Sequence, residues 1–137
     1  MQIVIIALGS RGDVQPYVAL GKGLLAAGHQ VRLMSHDVFE PLITAHGLEF
    51  KIARGNVQAV ADSPEMQALL EKGNFLAINA YTAQAAQKAA LEWAEDGLAA
   101  CQDADLIVAG IGGLFMGLSL AEKLNLALIQ AYYLPLT

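Results

Sequence analysis

A strongly apolar segment near the start of the chain, residues 3–8 (IVIIAL), leads directly into a glycine-containing turn. Apolar side chains on both faces predict a strand buried in a parallel sheet, because a half-exposed strand would alternate. The turn, residues 9–16 (GSRGDVQP), is followed by a helical pattern over residues 17–27. A strand, a glycine turn and a helix start present backbone N–H groups and a helix dipole to an anion.

The rest of the chain continues this order of strands and helices. Further strands are predicted at residues 30–35, 48–53, 105–109 and 126–131. Helices are predicted at residues 38–45, from Ser63-Pro64-Glu65 to Gly73, at 75–100, and from the 110–113 turn to Lys123. This alternation predicts one α/β domain with a Rossmann-like, doubly wound parallel sheet, about five strands in the order 3-2-1-4-5 and helices on both faces.

The predicted order contains a switch point between the first and fourth strands, where ligands bind beyond the carboxyl ends of the strands. The glycine turns at residues 9–16 and 110–113 meet there. From spacing alone, Asp13 is better explained as the N-cap of the first helix, with Pro16 in its first turn, than as a catalytic base. Among the histidines, His36 follows the second strand and so lies on the same edge.

The composition disfavours several classes of function and indicates a cellular compartment. The net charge is −5 and there is no Lys/Arg cluster, which disfavours nucleic-acid binding. Cys101 is the only cysteine, which excludes an intramolecular disulfide and favours a reducing compartment. No signal peptide is indicated, and the longest uncharged stretch, residues 106–120, is too short to span a membrane. The prediction is a cytoplasmic protein, with peripheral membrane contact left open.

The chain is more apolar than an average domain: hydrophobic residues make up 55% and charged residues 15%. The excess predicts an apolar surface for a second domain, a partner or a lipophilic ligand, and self-association of the isolated chain. Dinucleotide binding is a weaker alternative, because Gly9 and Gly12 give G-x-x-G and not G-x-G-x-x-G. The P-loop pattern is absent.

Residues 9–21 (GSRGDVQPYVALG), Leu24 and residues 27–33 (AGHQVRL) closely resemble the N-terminal domain of GT-B fold glycosyltransferases. The nearest resemblance is to sterol 3-beta-glucosyltransferases and antibiotic glycosyltransferases of the family 28 N-terminal domain type. Phe39, Gly47-Leu48 and Phe50 continue it. The resemblance is dense over the first 55 residues; beyond them it rests on the order of elements.

This resemblance implies that residues 1–137 are the acceptor-binding half of a two-domain enzyme, inactive without a C-terminal donor-binding domain. The enzyme would move a hexose from a nucleotide sugar, a UDP-sugar by this likeness, to a hydroxyl of a lipophilic acceptor such as a sterol, lipid or aglycone. Transfer would be inverting, without metal or cofactor. A non-catalytic ligand-binding module of the same fold is the alternative.

The resemblance also implies roles for individual residues. Related enzymes carry Gly-His-x-x-Pro with His as the base, and here Asp13 occupies that position. An aspartate at its ordinary pKa is a weak base, so burial or a shifted pKa would be required. Ser10, Arg11 and Gly12 are expected to face the donor phosphates. Residues 56–81 are expected to line the acceptor pocket, and the expected acceptor contacts are Met66, Phe75, Gly112 and Gly113.

Overall fold

The computed structural model of the chain describes residues 1–55 and 57–135. Five strands form one sheet in the order 3-2-1-4-5, and all four neighbouring pairs are parallel. The strands are β1 (Gln2–Ile6), β2 (Gln30–Ser35), β3 (Glu49–Ile52), β4 (Leu106–Ala109) and β5 (Ala127–Gln130). The fold class and strand order expected from the sequence are confirmed.

Among the described residues, six α-helices connect the strands. They are α1 (Arg11–Ala26), α2 (Glu40–Thr44), α3 (Val57–Ala61), α4 (Pro64–Lys72), α5 (Phe75–Cys101) and α6 (Leu114–Leu124). Short 3₁₀ turns at Asp37–Phe39 and Ile111–Gly113 precede α2 and α6, so the helix predicted at residues 38–45 is divided in two. The sequence analysis did not predict α3.

The core has two layers, one on each face of the sheet. On one face, α1 and α2 pack against the strands through Val14, Val18 and Ile43. On the other, α5 and α6 pack through Ala100, Cys101 and Leu120. The side chains of β1 are buried on both faces, as expected for the central strand of a parallel sheet.

The start of α1 differs from the prediction. Ser10, not Asp13, is the N-cap, and Asp13 is the third residue of the helix. The Asp13 carboxylate reaches back to accept the Ser10 N–H at 2.7 Å, which is the acidic half of a capping box. Pro16 therefore lies in the second turn, where it cannot donate to the Gly12 carbonyl.

The ends of α1 and α4 follow the predicted signals. Gly28 has φ +92° and ends α1, with its N–H bonded to the Leu25 carbonyl and the His29 N–H to the Leu24 carbonyl. The Ser63 hydroxyl accepts the Met66 N–H at the start of α4, which ends at Gly73 in a left-handed conformation.

Cys101 lies at the end of α5 and is 1% exposed. Burial raises the pKa of its thiol to about 11, so the nucleophilic thiolate is scarce at neutral pH. We expect no reaction of the native chain with a disulfide reagent such as DTNB at pH 8, and one equivalent of reaction after unfolding in guanidinium. Rapid labelling of the folded chain would contradict this burial.

A candidate active site at the sheet switch point

The 110–113 turn packs directly against the end of β1, at the carboxyl edge of the sheet. A Cβ atom on Gly112 would lie 2.2 Å from the Leu8 carbonyl oxygen, and one on Gly113 would lie 2.7 Å from the Ile6 carbonyl oxygen. Both distances are shorter than side-chain carbons tolerate. Glycine at these positions therefore lets the 110–113 turn lie against the end of β1, at the switch point that the topology predicts.

Asp13 lies at this junction, and its two carboxylate oxygens have different partners. Oδ2 accepts the Ser10 N–H at 2.7 Å and the Ser10 hydroxyl at 2.8 Å. Oδ1 accepts the hydroxyl of Tyr133, which follows β5. Gly9 has φ +132°, and a Cβ there would lie 2.5 Å from Oδ2. The turn before α1 thus needs glycine both for its backbone and for the carboxylate.

Two tyrosines connect α1 with the segment that follows β5. The Tyr17 hydroxyl donates to the Ala131 carbonyl at 2.5 Å. The rings of Tyr17 and Tyr133 meet edge to face, with centroids 5.9 Å apart and planes at 73°. Tyr17 is 4% exposed and Tyr133 is 39% exposed. These side chains, with Asp13 and the 110–112 backbone, line a small cavity at the switch point.

The hydrogen bonds of Asp13 set its proton affinity. The Tyr133 hydroxyl is the main cause that holds the pKa of Asp13 below its ordinary value; burial acts in the opposite direction, and Ser10 lowers the pKa further. The same contact with Asp13 raises the pKa of Tyr133 to about 12. Desolvation, followed by the charge of Asp13, raises the pKa of Tyr17. The raised pKa that a carboxylate base would require is therefore not found in this arrangement.

Ser10, Arg11 and Gly12 lie together at the exposed amino end of α1. This end of a 16-residue helix carries partial positive charge and favours an anion. Asp13 already places one negative charge there, so a phosphate would share the dipole with this carboxylate. Arg11 places a cationic side chain within this turn.

A larger cavity of about 460 Å³ lies between α3 and α5. Its described lining is mostly small or aromatic, with Tyr81, Ala85, Ala89 and Trp93 from α5. The chain leaving β3 closes against this helix: the Trp93 indole N–H donates to the Arg54 carbonyl, and a Cβ on Gly55 would lie 2.9 Å from that of Ala89. The cavity therefore lies near the end of β3, on the α5 face.

The predicted acceptor contacts are dispersed. Gly112 and Gly113 lie at the switch point, Met66 is buried on α4, and Phe75 is 77% exposed at the start of α5. Met66 and Phe75 are not part of the described cavity lining. Asn56, the first residue of the segment expected to line the pocket, lies outside the described residues. The role of these residues in acceptor binding stays a prediction.

His36 is buried and is held by contacts within the fold. It is 4% exposed, its Nδ1 lies 2.9 Å from the Ala53 carbonyl oxygen, and its ring packs at 6.3 Å from Trp93. In the described part of the chain, no group of three or more His, Cys, Asp or Glu side chains is placed to hold a metal ion. None of the described helices is long and apolar enough to cross a membrane.

Tyr17 and Tyr133 were not predicted from the sequence as members of the site. The topology rule could have indicated Tyr133, because it follows the carboxyl end of β5 and so lies on the same edge as both glycine turns. Its contact with Asp13 joins residues 120 positions apart. No local pattern encodes such a contact.

The sheet order and the switch-point site define a Rossmann-like, doubly wound α/β domain. Residues 3–137 match the glycosyltransferase family 28 N-terminal domain, and the chain belongs to that family. It is 36% identical over 140 residues to a sterol 3-beta-glucosyltransferase of Pichia angusta and 35% identical over 139 residues to one of Aspergillus fumigatus. These matches cover 99% and 98% of the chain but 11% and 9% of those relatives.

Solved structures share the fold at lower identity. The calicheamicin glycosyltransferase CalG4 has a TM-score of 0.71 at 17% identity, covering 99% of this chain and 31% of that protein. The Streptomyces sp. glycosyltransferase SsfS6 has a TM-score of 0.66 at 23% identity, covering 96% and 39%. The glycosyltransferase VinC, solved in complex with dTDP, has a TM-score of 0.66 at 20% identity, covering 96% and 34%.

Proposed function

We propose that the chain is the acceptor-binding domain of an inverting glycosyltransferase. The enzyme moves a hexose from a nucleotide sugar, a UDP-sugar by family likeness, to a hydroxyl of a lipophilic acceptor such as a sterol. The observation that carries this proposal is the position of the Asp13 carboxylate, at the switch point of a family 28 domain. The donor-binding domain of such an enzyme is separate from the residues described.

In the proposed reaction, Asp13 is the general base. Its Oδ1 takes the proton of the acceptor hydroxyl while that oxygen bonds to the anomeric carbon of the sugar. The bond from the anomeric carbon to the diphosphate oxygen breaks, and the nucleoside diphosphate leaves with the electron pair. Ser10, Arg11 and Gly12, at the positive end of α1, face the developing phosphate charge. Gly112 and Gly113 are proposed to contact the acceptor through their backbone, because Leu8 and Ile6 fill the space where their side chains would lie.

The lipophilic part of the acceptor is proposed to occupy the cavity between α3 and α5. Pockets for apolar ligands are typically about 300–1,000 Å³ with mainly apolar and aromatic walls. This cavity, at about 460 Å³, has mainly such walls, with Gln84, Lys88 and Glu92 also in its lining. Met66 and Phe75 remain proposed contacts on α4 and α5, which pack against each other. The relatives named as sterol glucosyltransferases supply the class of acceptor to try first.

Filling the cavity tests this assignment. Ala85 of α5 lines the cavity, whereas Ala90 of the same helix is exposed and outside its described lining. We expect Ala85→Phe to raise the acceptor KM by about tenfold or more, since it occupies the space needed for ligand burial. Ala90→Phe adds the same side chain at a solvent-exposed position and is expected to leave the acceptor KM unchanged. Equal effects of the two substitutions would place the acceptor elsewhere.

A non-catalytic binding module is the second candidate. It is favoured because both carboxylate oxygens of Asp13 already accept hydrogen bonds from other residues of the chain. Sugar transfer by the intact protein, this chain joined to its donor-binding domain, separates the two functions. With UDP-glucose and cholesterol as probes, we expect chromatography to detect a glucosylated sterol. Binding of cholesterol without transfer from any nucleotide sugar would favour the binding module.

A further inference from the structure

The Asp13 carboxylate has one oxygen available to an incoming hydroxyl, and Tyr133 is already bound to it. Oδ2 accepts two hydrogen bonds from Ser10, so its contacts belong to the helix cap. Oδ1 accepts the Tyr133 hydroxyl. A phenol O–H and an acceptor C–O–H offer a carboxylate the same kind of donor. The Tyr133 hydroxyl therefore occupies the position that the proposed acceptor hydroxyl requires.

The two tyrosines at the site differ in how firmly they are held. Tyr17 is buried, and its hydroxyl is fixed on the Ala131 carbonyl and packed against Gly110, where a Cβ would lie 2.2 Å away. Tyr133 is 39% exposed; its described polar contact is with Asp13, and its ring rests edge-on against Tyr17. Tyr17 can therefore stay as a wall of the site while the Tyr133 side chain turns towards solvent.

We propose that the Tyr133 hydroxyl takes the place of the acceptor hydroxyl by donating to Asp13 Oδ1, and that it is displaced when the acceptor binds. This proposal rests on the proposed function, because it takes Asp13 as the base. Tyr133 acts through Asp13 and is a positioning residue. It keeps its own proton throughout, so the proton that reaches Oδ1 during transfer is that of the acceptor.

The contact with Tyr133 also acts on the charge of Asp13. The groups of α1 and of the segment after β5 that act on the Asp13 charge are Ser10, Tyr17 and Tyr133, while the 110–113 turn has no ionisable side chain. Of the hydrogen bonds to Asp13, that of Tyr133 lowers its pKa most. Removing the Tyr133 hydroxyl therefore raises the pKa of Asp13, whereas an acceptor hydroxyl that replaces it supplies a hydrogen bond of the same kind until its proton is transferred.

The first experiment tests the contact in the 137-residue chain. Carboxyl carbon NMR follows the titration of Asp13 in the wild type, in Tyr133→Phe and in Tyr132→Phe. Tyr132 is the matched control, because its hydroxyl donates to Gln130 Oε1 at 2.7 Å. We expect a higher Asp13 pKa in Tyr133→Phe and no change in Tyr132→Phe. The same Asp13 pKa in all three proteins would overturn the proposal.

The second experiment tests displacement in the intact transferase, with UDP-glucose and cholesterol as probes. Tyr133→Phe removes the competing hydroxyl, so we expect the acceptor KM to fall about three- to tenfold with kcat within about twofold. A raised KM, an unchanged KM, or a tenfold loss of kcat would overturn displacement while leaving glycosyl transfer intact. No transfer by the wild type would instead overturn the proposed function, and the displacement proposal with it.

Discussion

Replacing Asp13 by Asn is expected to lower kcat of the intact enzyme by about 10²–10⁴-fold, the usual contribution of a positioned general base. The Asn side chain has nearly the same shape, and its amide oxygen can still accept the Ser10 N–H that Asp13 Oδ2 accepts. It cannot take a proton from the acceptor at neutral pH. The acceptor KM is expected to change little, because the lost interaction belongs to proton transfer and not to binding of the acceptor body.

Two controls make this result specific. Thermal unfolding of Asp13→Asn should remain within a few degrees of the wild type, since the helix cap keeps an acceptor at the same position. Ser10→Ala removes one donor to Oδ2 but leaves the carboxylate, so kcat should fall by less than about tenfold. Turnover of Asp13→Asn within about threefold of the wild type would eliminate Asp13 as the base.

The topology could be predicted because it depends on the order of strands and helices along the chain, which small errors in their bounds do not change. The apolar segments of β1 and β4 and the helices between the strands specify a parallel sheet, and right-handed connections then restrict the strand order. The glycine turns at residues 9–16 and 110–113 follow β1 and β4, which are neighbours, so the sheet order alone brings them to the same place. For this reason the relative position of the two turns was predicted more accurately than the side-chain contacts made there.

Local details were harder because nearby residues compete for the same role. Ser10 and Asp13 are both good N-caps, and their spacing allows either a helix starting after Asp13 or a capping box in which Asp13 is the third residue. The structure has the second arrangement, which ties the carboxylate to Ser10. The contact with Tyr133 depends on where the chain runs after β5, which propensity and periodicity do not specify.

Overpacking a well-packed core typically costs about 1–3 kcal/mol. We expect Gly113→Ala to destabilise the chain by an amount near the upper end of this range. The new Cβ would lie 2.5 Å from the Ile6 Cγ2 and 2.7 Å from the Ile6 carbonyl oxygen. A flexible side chain could move aside, but the carbonyl belongs to the central strand and its N–H···O partner is Gly110. The steric clash of the new Cβ with this carbonyl can therefore be removed only by moving the 110–113 turn away from β1.

Gly23→Ala is the matched control, because it adds the same methyl group to α1 at a site where, beyond the neighbouring residues and backbone of the helix itself, no atom lies within 4 Å of the new Cβ. It is expected to stabilise the chain by about 0.5–1 kcal/mol, since alanine loses less conformational entropy than glycine in a helix. Urea unfolding followed by circular dichroism should move the two midpoints in opposite directions. Because the displaced turn also packs against Tyr17, Gly113→Ala should disturb Asp13 and reduce turnover, whereas Gly23→Ala should not. Equal midpoints for the two variants would mean that the turns do not meet as closely as the switch-point site requires.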